Sequence, residues 1–352
     1  MNSYRKIKIG FIGAGFIGQI AHIENYSQLN NCELHAIADL RVDLREQVAD
    51  KFSIKYRYNS HKDLLTDSNV DAVIVVTARS HTVDIVRDCL LANKHVFSEK
   101  PMAHNSDLAA ELVHLAEERK LIYCVGYMKR FDEGVNKAKE IFDSLISTQN
   151  LGKLLQINAQ CYMGNSYCNA GGYIHSTQSR PDMLDEEKLT PSWLLDYQKP
   201  HFARYLNVHS HLLNLIRYFI DKQLHVEYFN YISELAHVCV LRTDEQLITL
   251  QTGDVNQRNW QEICVFIFES GQLKVQLPPA LLRNVPARIT LIQGNNNDEK
   301  TEYLINWSWS FKHQAISFIN TVTENEFNSS ISARQALVDI KLVEEIWKKI
   351  KK

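Results

Sequence analysis

A run of glycines between an apolar strand and an amphipathic stretch is the first place where this chain can do chemistry. Residues 6–12 read as a short buried strand, and Gly13-Ala14-Gly15-Phe16-Ile17-Gly18 follows directly. The GxGxxG spacing suits a dinucleotide. Gly13 permits a tight turn, Gly15 lets a pyrophosphate approach the backbone, and Gly18 lets the next helix pack closely on a sheet. The start of that helix, which the pattern carries through Gln28, presents unpaired N–H groups and the positive end of a dipole to phosphate. A second strand over 33–38 ends in Asp39, 21 residues after Gly18. A carboxylate there accepts hydrogen bonds from a ribose diol. It also repels a 2′-phosphate, which puts NAD ahead, whereas the neighbouring Arg41 can hold that phosphate and keeps NADP open. The contacts expected here are Gly13, Gly15, Phe16, Ile17, Gly18, Asp39, Leu40 and Arg41.

Other groups with chemical potential follow further strands. Thr77, Lys100 and Tyr127 each stand at or just past a strand end. An ammonium at Lys100 can donate to a substrate oxygen and stabilise a developing alkoxide. Spacing alone fits a surface lysine paired with Glu99 equally well. Asn207 and His211 are four apart in a helical stretch over 206–220, so they share a face. An imidazole there can take or give a proton near neutral pH. His209-Ser210-His211 does not make a metal site: residues two apart on a helix diverge, and no acid or cysteine completes the set. No metal is expected. Arg79 and His81 reach phosphate or face water, and Lys129 and Arg130 add positive charge. The irregular region 163–204 holds Tyr173, His175 and Arg204 among many aromatics, which suits either a sugar-binding lid or a satellite core under a loop.

These groups need a frame. Helical periods over 41–52, 61–66, 81–92 and 107–119, the last capped by Asn105 or Ser106, alternate with strands over 70–77, 95–97 and 121–126. The run VDAVIVVT is apolar throughout, as in a parallel strand buried on both faces. Such alternation gives a doubly wound sheet with ligands at the carboxyl ends of its strands. Gly13, Asp39, Thr77, Lys100 and Tyr127 should therefore face one crevice. Past residue 127 the grammar changes. Strands over 151–162, 225–232, 237–243, 247–255, 262–269 and 273–277, with a hairpin at Ser270-Gly271, read as an antiparallel sheet. Helices over 307–323 and 331–350 close the chain, the last begun by Ser332 and Gln335 in capping-box spacing. The expected fold is α/β: an N-terminal Rossmann doubly wound parallel sheet over 1–127, then a C-terminal α+β domain over 128–352 with a large, mostly antiparallel open sheet, its last helices packing back on the first domain.

Composition narrows the classes. The 352 residues, at about 150 per domain, make two domains. Lys plus Arg is 39 and Asp plus Glu is 41. A net charge of −2 argues against a nucleic-acid coat or a membrane-surface protein. Hydrophobic content of 45% and charged content of 23% are globular values. No apolar run approaches a membrane span, and residues 1–6 lead into the first strand without an apolar leader. The seven cysteines are dispersed, odd in number and without a CxxC pair, which points to a reducing cytoplasm.

The chain resembles the Gfo/Idh/MocA family of oxidoreductases. The residues that carry the resemblance are GFIGAGFIG, Asp39, KHVFSEKPM over 94–102, VGYMKRFD over 125–132 and LNVHSHLLNLIRYF over 206–219. The resemblance implies that Lys100 and His211 handle the proton and alkoxide charge while Asn207 orients a hydroxyl. It adds Thr77, Arg79, His81, Glu99 and Lys100 to the cofactor contacts, and Tyr127, Lys129, Arg130, Tyr173, His175, Arg204, Asn207 and His211 to the substrate contacts. Two positions depart from many relatives. Asn207 stands where they have Asp, and Ala78 replaces a proline, with the nearby histidine one step early at His81. The implied activity is NAD(P)-dependent hydride transfer between nicotinamide and a secondary hydroxyl or ketone of a sugar, amino sugar, nucleotide sugar or cyclitol. The alternatives are an NAD-dependent glycosidase on the same fold and a non-catalytic dinucleotide-binding regulator. The implied assembly is a homodimer or homotetramer through the C-terminal sheet.

Overall fold

In the computed structural model, which describes residues 5–179, 185–233, 235–294, 298–327 and 329–350, the apolar run expected at 70–77 is a strand, Ala72–Val75, with all four side chains buried. Of the leader segment 1–6, residues 1–4 lie outside the described residues. The chain gathers into two units, neither continuous in sequence. One comprises Met1–Tyr127, Gly171–Ala203 and Phe311–Lys341; the other comprises Met128–Ala170, Arg204–Ser310 and Leu342–Lys352. Each is described by itself.

The first unit is built on six strands: β1 (Ile7–Ile12), β2 (Cys32–Ala38), β3 (Tyr56–Tyr58), β4 (Ala72–Val75), β5 (His95–Ser98) and β6 (Tyr123–Val125). Their order is β3-β2-β1-β4-β5-β6, and every pairing is parallel. The chain winds outward from β1 through β3, then returns to β4 on the other side of β1. That reversal opens a crevice at the carboxyl ends of β1 and β4. Four helices, Val42–Phe52, His61–Leu65, Arg79–Leu91 and Ser106–Glu118, connect the strands. Local chemistry fixes their ends. The Leu108 amide donates to Asn105 Oδ1 at 2.9 Å, so Asn105 is the cap. Ser60 accepts from the Asp63 amide at 3.2 Å.

The helix after the glycines differs from expectation. It begins as a π-helical stretch, Gly18–Ile23, continues as Glu24–Tyr26, and stops short of Gln28. The widened turns carry two buried polar side chains, Gln19 and His22, each with a specific partner described below.

The second unit holds eight strands: β7 (Leu154–Met163), β8 (His225–Ser233), β9 (Ala236–Arg242), β10 (Leu247–Asp254), β11 (Gln261–Phe268), β12 (Gly271–Leu277), β13 (Arg288–Gln293) and β14 (Glu299–Tyr303). Their order is β14-β13-β12-β11-β7-β10-β9-β8. All pairs are antiparallel except β7 with β10. The hairpin turns one residue earlier than the expected Ser270-Gly271: Phe268 pairs with Gly271, leaving Glu269 and Ser270 in the turn. The last two strands extend the sheet beyond the expected series. All five β14 residues, EKTEY, are charged or hydroxylic, as suits an edge strand. On the covered face, Phe142 of the helix Glu133–Thr148 meets Phe266 at 4.9 Å and Phe219 at 5.6 Å between ring centres.

The helix expected over 206–220 is interrupted. Lys199–Val208 and Ser210–Ile220 are separate helices with His209 between them at φ −87°, ψ −11°. The His209 carbonyl accepts from the Leu212 amide at 3.1 Å and the Leu213 amide at 3.4 Å, a tightened turn in place of a regular one. Helix also starts earlier than expected, inside the region read as irregular.

Candidate functional site

Because β1, β2, β4, β5 and β6 run parallel, Gly13, Asp39, Thr77, Lys100 and Tyr127 stand at or beyond the carboxyl ends of five strands of one sheet. Gly13 has φ +98°, and a Cβ there would lie 2.2 Å from the Val76 carbonyl oxygen. Only glycine fits that close approach to the end of β4. A Cβ on Gly18 would lie 2.7 Å from the Gly13 carbonyl oxygen. Gly15 is different: its Cβ would meet nothing nearer than Arg41 Nη2 at 3.8 Å. The turn is thus closed at its two ends and open in the middle, where a diphosphate would approach the backbone.

Asp39 closes one side of the turn. It is almost fully buried, and Oδ2 accepts from the Ala14 amide at 2.8 Å. Oδ1 accepts from the Arg41 amide at 2.9 Å. The Arg41 guanidinium adds Nε to Oδ1 and Nη2 to Oδ2, both at 3.0 Å. Leu40 between them is exposed. The glycine turn and the acid are therefore one hydrogen-bonded piece, and its shape fits a dinucleotide laid across Gly15 with its ribose at Asp39.

At β5, Glu99 directs its carboxylate to His22 Nε2 at 2.8 Å and to the Lys100 amide at 3.2 Å. Lys100 is half-buried, and the Lys100–Pro101 bond is cis. Thr77 is half-buried and precedes the helix Arg79–Leu91. Arg79 is exposed and donates to Glu186 Oε2 at 3.2 Å, and His104 Nε2 lies 3.5 Å from the same oxygen. The proximity of His104, and then of Arg79, holds the Glu186 carboxyl below its usual range against the effect of burial. His81 is half-buried on the same helix.

Tyr173 and His175, expected at the substrate, belong to the first unit, and Tyr173 lies against the glycine turn. Tyr173 meets Phe16 edge-on at 4.7 Å and His175 at 4.2 Å. Gln19 explains the placement. Its amide donates to the carbonyls of Ala14 at 2.9 Å and Ile174 at 3.0 Å and accepts from the Ile174 amide at 2.8 Å. The sequence offered no sign that Gln19 would do this.

In the second unit, His211 is buried and Asn207 half-buried on the two sides of the His209 break. His209 points into an aromatic cluster, 5.0 Å from Tyr205 and 5.4 Å from His237 between ring centres. Burial, then the neighbouring His237, pushes its pKa well down, so His209 is a neutral packing group. Lys129, expected near substrate, is instead ion-paired with the fully buried Glu262. Arg130 spends its guanidinium on Asn214, with Nε to Oδ1 at 2.7 Å and Nη2 to the carbonyl at 2.9 Å. Arg204 is paired with Asp254. Lys129 and Arg130 are buried and Arg204 is exposed, and each faces a partner inside its own unit. Among the described residues, no cluster of three or more His, Cys, Asp or Glu is placed to hold a metal ion. No described helix is long and apolar enough to cross a membrane.

Residues 7–127 match the model of an oxidoreductase family with an NAD-binding Rossmann fold, Gfo/Idh/MocA. Residues 7–127 thus carry the NAD-binding domain of this family. Over 138 residues, 39% of this chain and 41% of the relative, it is 33% identical to the myo-inositol 2-dehydrogenase of Thermotoga maritima. Over 221 residues, 62% of each chain, it is 26% identical to the inositol 2-dehydrogenase of Salmonella typhimurium. The matched stretches thus span less than two thirds of these curated relatives. A 3-ketoreductase from Actinomadura kijaniata, solved with NADP and TDP-benzene, has the same fold, with a TM-score of 0.74 at 16% identity over 98% of each chain.

Proposed function

We propose that this Gfo/Idh/MocA chain is an NAD(P)-dependent oxidoreductase that moves a hydride between nicotinamide and a secondary hydroxyl or ketone of a sugar, amino sugar, nucleotide sugar or cyclitol. The observation that carries the reading is the glycine turn: sterically closed at Gly13 and Gly18, open at Gly15, and hydrogen-bonded through the Ala14 amide to Asp39. The family's description and the inositol dehydrogenases among the relatives support the substrate class. When bound, the nicotinamide supplies the hydride acceptor or donor.

The chain's own groups do the rest. The backbone around Gly15 and the start of the helix at Gly18 receive the diphosphate. Asp39 accepts from the ribose hydroxyls. Lys100 donates from Nζ to the substrate oxygen and stabilises its negative charge. His211 takes the hydroxyl proton in oxidation and returns it in reduction. Asn207 hydrogen-bonds a hydroxyl, but as a neutral amide it does not stabilise an imidazolium as a carboxylate does.

The protein works as a homo-oligomer that covers the open face of the eight-stranded sheet. Support comes from that face itself. By register, Tyr228, Val240, Thr249, Asn158 and Val265 form one row across five strands. Tyr228, Ile232 and Val238 are exposed there. Seven free thiols, six of them buried, support a reducing cytoplasmic setting.

The test is a binding and turnover panel. Dinucleotide affinity is read by fluorescence of the reduced forms, and turnover is read by nicotinamide absorbance over cyclitols, free sugars and nucleotide sugars. Lys100→Ala should abolish turnover and keep dinucleotide binding. Absence of affinity for both NADH and NADPH in the intact protein sinks the reading.

A further inference from the structure

The segment just after Gly171 reaches two separate helix starts in the first unit. At one, Ile174 forms a two-way amide pair with Gln19, and Tyr173 packs on Phe16 of the glycine turn. At the other, Asp43 in the first turn of the helix Val42–Phe52 takes the segment by its side chain. Ser176 Oγ donates to Oδ1 at 2.7 Å, while the Thr177 amide and hydroxyl donate to Oδ2 at 2.9 and 3.0 Å. The Asp43 amide in turn donates to Gln178 Oε1 at 3.0 Å. Partial desolvation would raise the Asp43 carboxyl, but the bonds from Ser176, Thr177 and Leu44 outweigh it and hold the group down at about 2. Lys51, about two turns along the same helix, donates to the Gly172 carbonyl at 2.7 Å.

These two attachment points flank the dinucleotide groove. Gln19 follows the glycine turn and Asp43 follows the Asp39–Arg41 pair, and the Ala14 amide on Asp39 joins these two loops beside the open Gly15. A segment tied at both sides spans what lies in the middle. Its approach has freedom built in: Gly171 and Gly172 stand in open space, and Gly172 has φ +76°, a conformation that other residues rarely adopt. The attachments at Asp43 are polar and near the surface, so they can break and re-form without disturbing a core.

We propose that residues 172–178 are a strap over the dinucleotide site, fastened at Gln19 and Asp43, which sets how fast the cofactor leaves. The proposal rests on the dinucleotide reading of the Gly13–Gly18 turn. With the strap fastened, the adenosine half is held between Asp39 and a covering chain, and exchange waits on release at Asp43. This makes departure of the dinucleotide, after the hydride has moved, a step that the strap controls.

The test is the dissociation rate of NADH and NADPH from the intact protein, followed by stopped-flow fluorescence with excess oxidised dinucleotide as competitor. The double variant Ser176→Ala/Thr177→Ala removes two hydroxyl donors to Asp43 from an exposed segment. It should speed dissociation roughly tenfold, the loss expected for hydrogen bonds to a charged group, with the association rate near that of wild type. Ile174→Pro, which removes the amide given to Gln19, should do the same at the other end. Unchanged dissociation in both variants overturns the strap and leaves the dinucleotide reading intact. Faster association with tighter binding in the variants also overturns it, because the segment would then be a plug and not a clasp. Wild-type protein that binds neither dinucleotide overturns the reading itself.

Discussion

Arg41 lies on Asp39 as a fork on a carboxylate, Nε to Oδ1 and Nη2 to Oδ2, both at 3.0 Å. With the Arg41 and Ala14 amides counted, each oxygen of Asp39 already accepts two hydrogen bonds. A carboxylate has about four lone-pair sites. A ribose diol can bind Asp39 only when the guanidinium lets go, and a 2′-phosphate can take the freed guanidinium in its place. On the proposed dinucleotide reading, the pair would set the balance between NAD and NADP by competition. Arg41→Ala should strengthen NAD binding several-fold and weaken NADP binding about tenfold, about 1.4 kcal/mol. Asp39→Ser should shift preference the other way. Titrations of both dinucleotides with both variants check this. Parallel losses for NAD and NADP in Arg41→Ala would show that the fork only props up the loop.

The glycines separate folding from binding. Alanine at position 13 would place its Cβ 2.2 Å from a backbone oxygen at a φ of +98°. Neither the clash nor the dihedral can relax without moving the end of β1, so Gly13→Ala should lower the melting temperature and abolish binding together. Alanine at position 15 meets only the end of a flexible arginine. Gly15→Ala should leave the melting temperature near that of wild type and reduce dinucleotide affinity at least tenfold, because the methyl occupies the approach to the backbone. Thermal melts beside fluorescence titrations distinguish the two.

Lys129 and Glu262 form a buried ion pair, with Trp260 Nε1 donating to Glu262 Oε2 at 3.2 Å. Removing one partner strands the other charge. Lys129→Ala should cost about 3–5 kcal/mol in urea unfolding, while Lys129→Met with Glu262→Leu should recover most of it. A substrate-binding Lys129 would behave otherwise, raising KM with stability unchanged.

How much of this was readable in the chain depends on distance. The turn, its strand and Asp39 lie within a few tens of residues and obey local rules, so glycine spacing located them. The strap does not: Gln19 and Ile174 are 155 apart, and Asp43 and Thr177 are 134 apart. Neither Gln19 nor Asp43 differs in sequence from an ordinary surface helix residue. Lys129 and Arg130 misled for a related reason. A cation beside a strand end looks available until its partner, Glu262 or Asn214, is placed against it by the fold. The break at His209 was hidden because no proline or glycine marks it; burial of His209 against Tyr205 and His237 does the work. Strand β14 was hidden by its charge.

Asp67 makes the acid limb of stability predictable. Its Oδ2 accepts from Tyr58 at 3.0 Å and lies 3.0 Å from His35 Nε2, while Oδ1 accepts from the Asn69 amide at 2.9 Å and side chain at 3.1 Å. Burial would raise the carboxyl, but the bonds from Asn69, His35 and Tyr58 prevail and hold it at about 2. An unfolded Asp titrates near 3.9. The folded form therefore keeps its charge where the unfolded form has taken a proton. The resulting stability is complete above about pH 4 and is lost as pH falls towards 2. Asp67→Asn should lower the melting temperature at neutral pH and fall less steeply than wild type between pH 4 and 2. Melting curves across that range check both slopes. A variant parallel to wild type throughout would mean that Asp67 is ionised equally in both states, and that other carboxylates, Asp43 first among them, carry the acid limb.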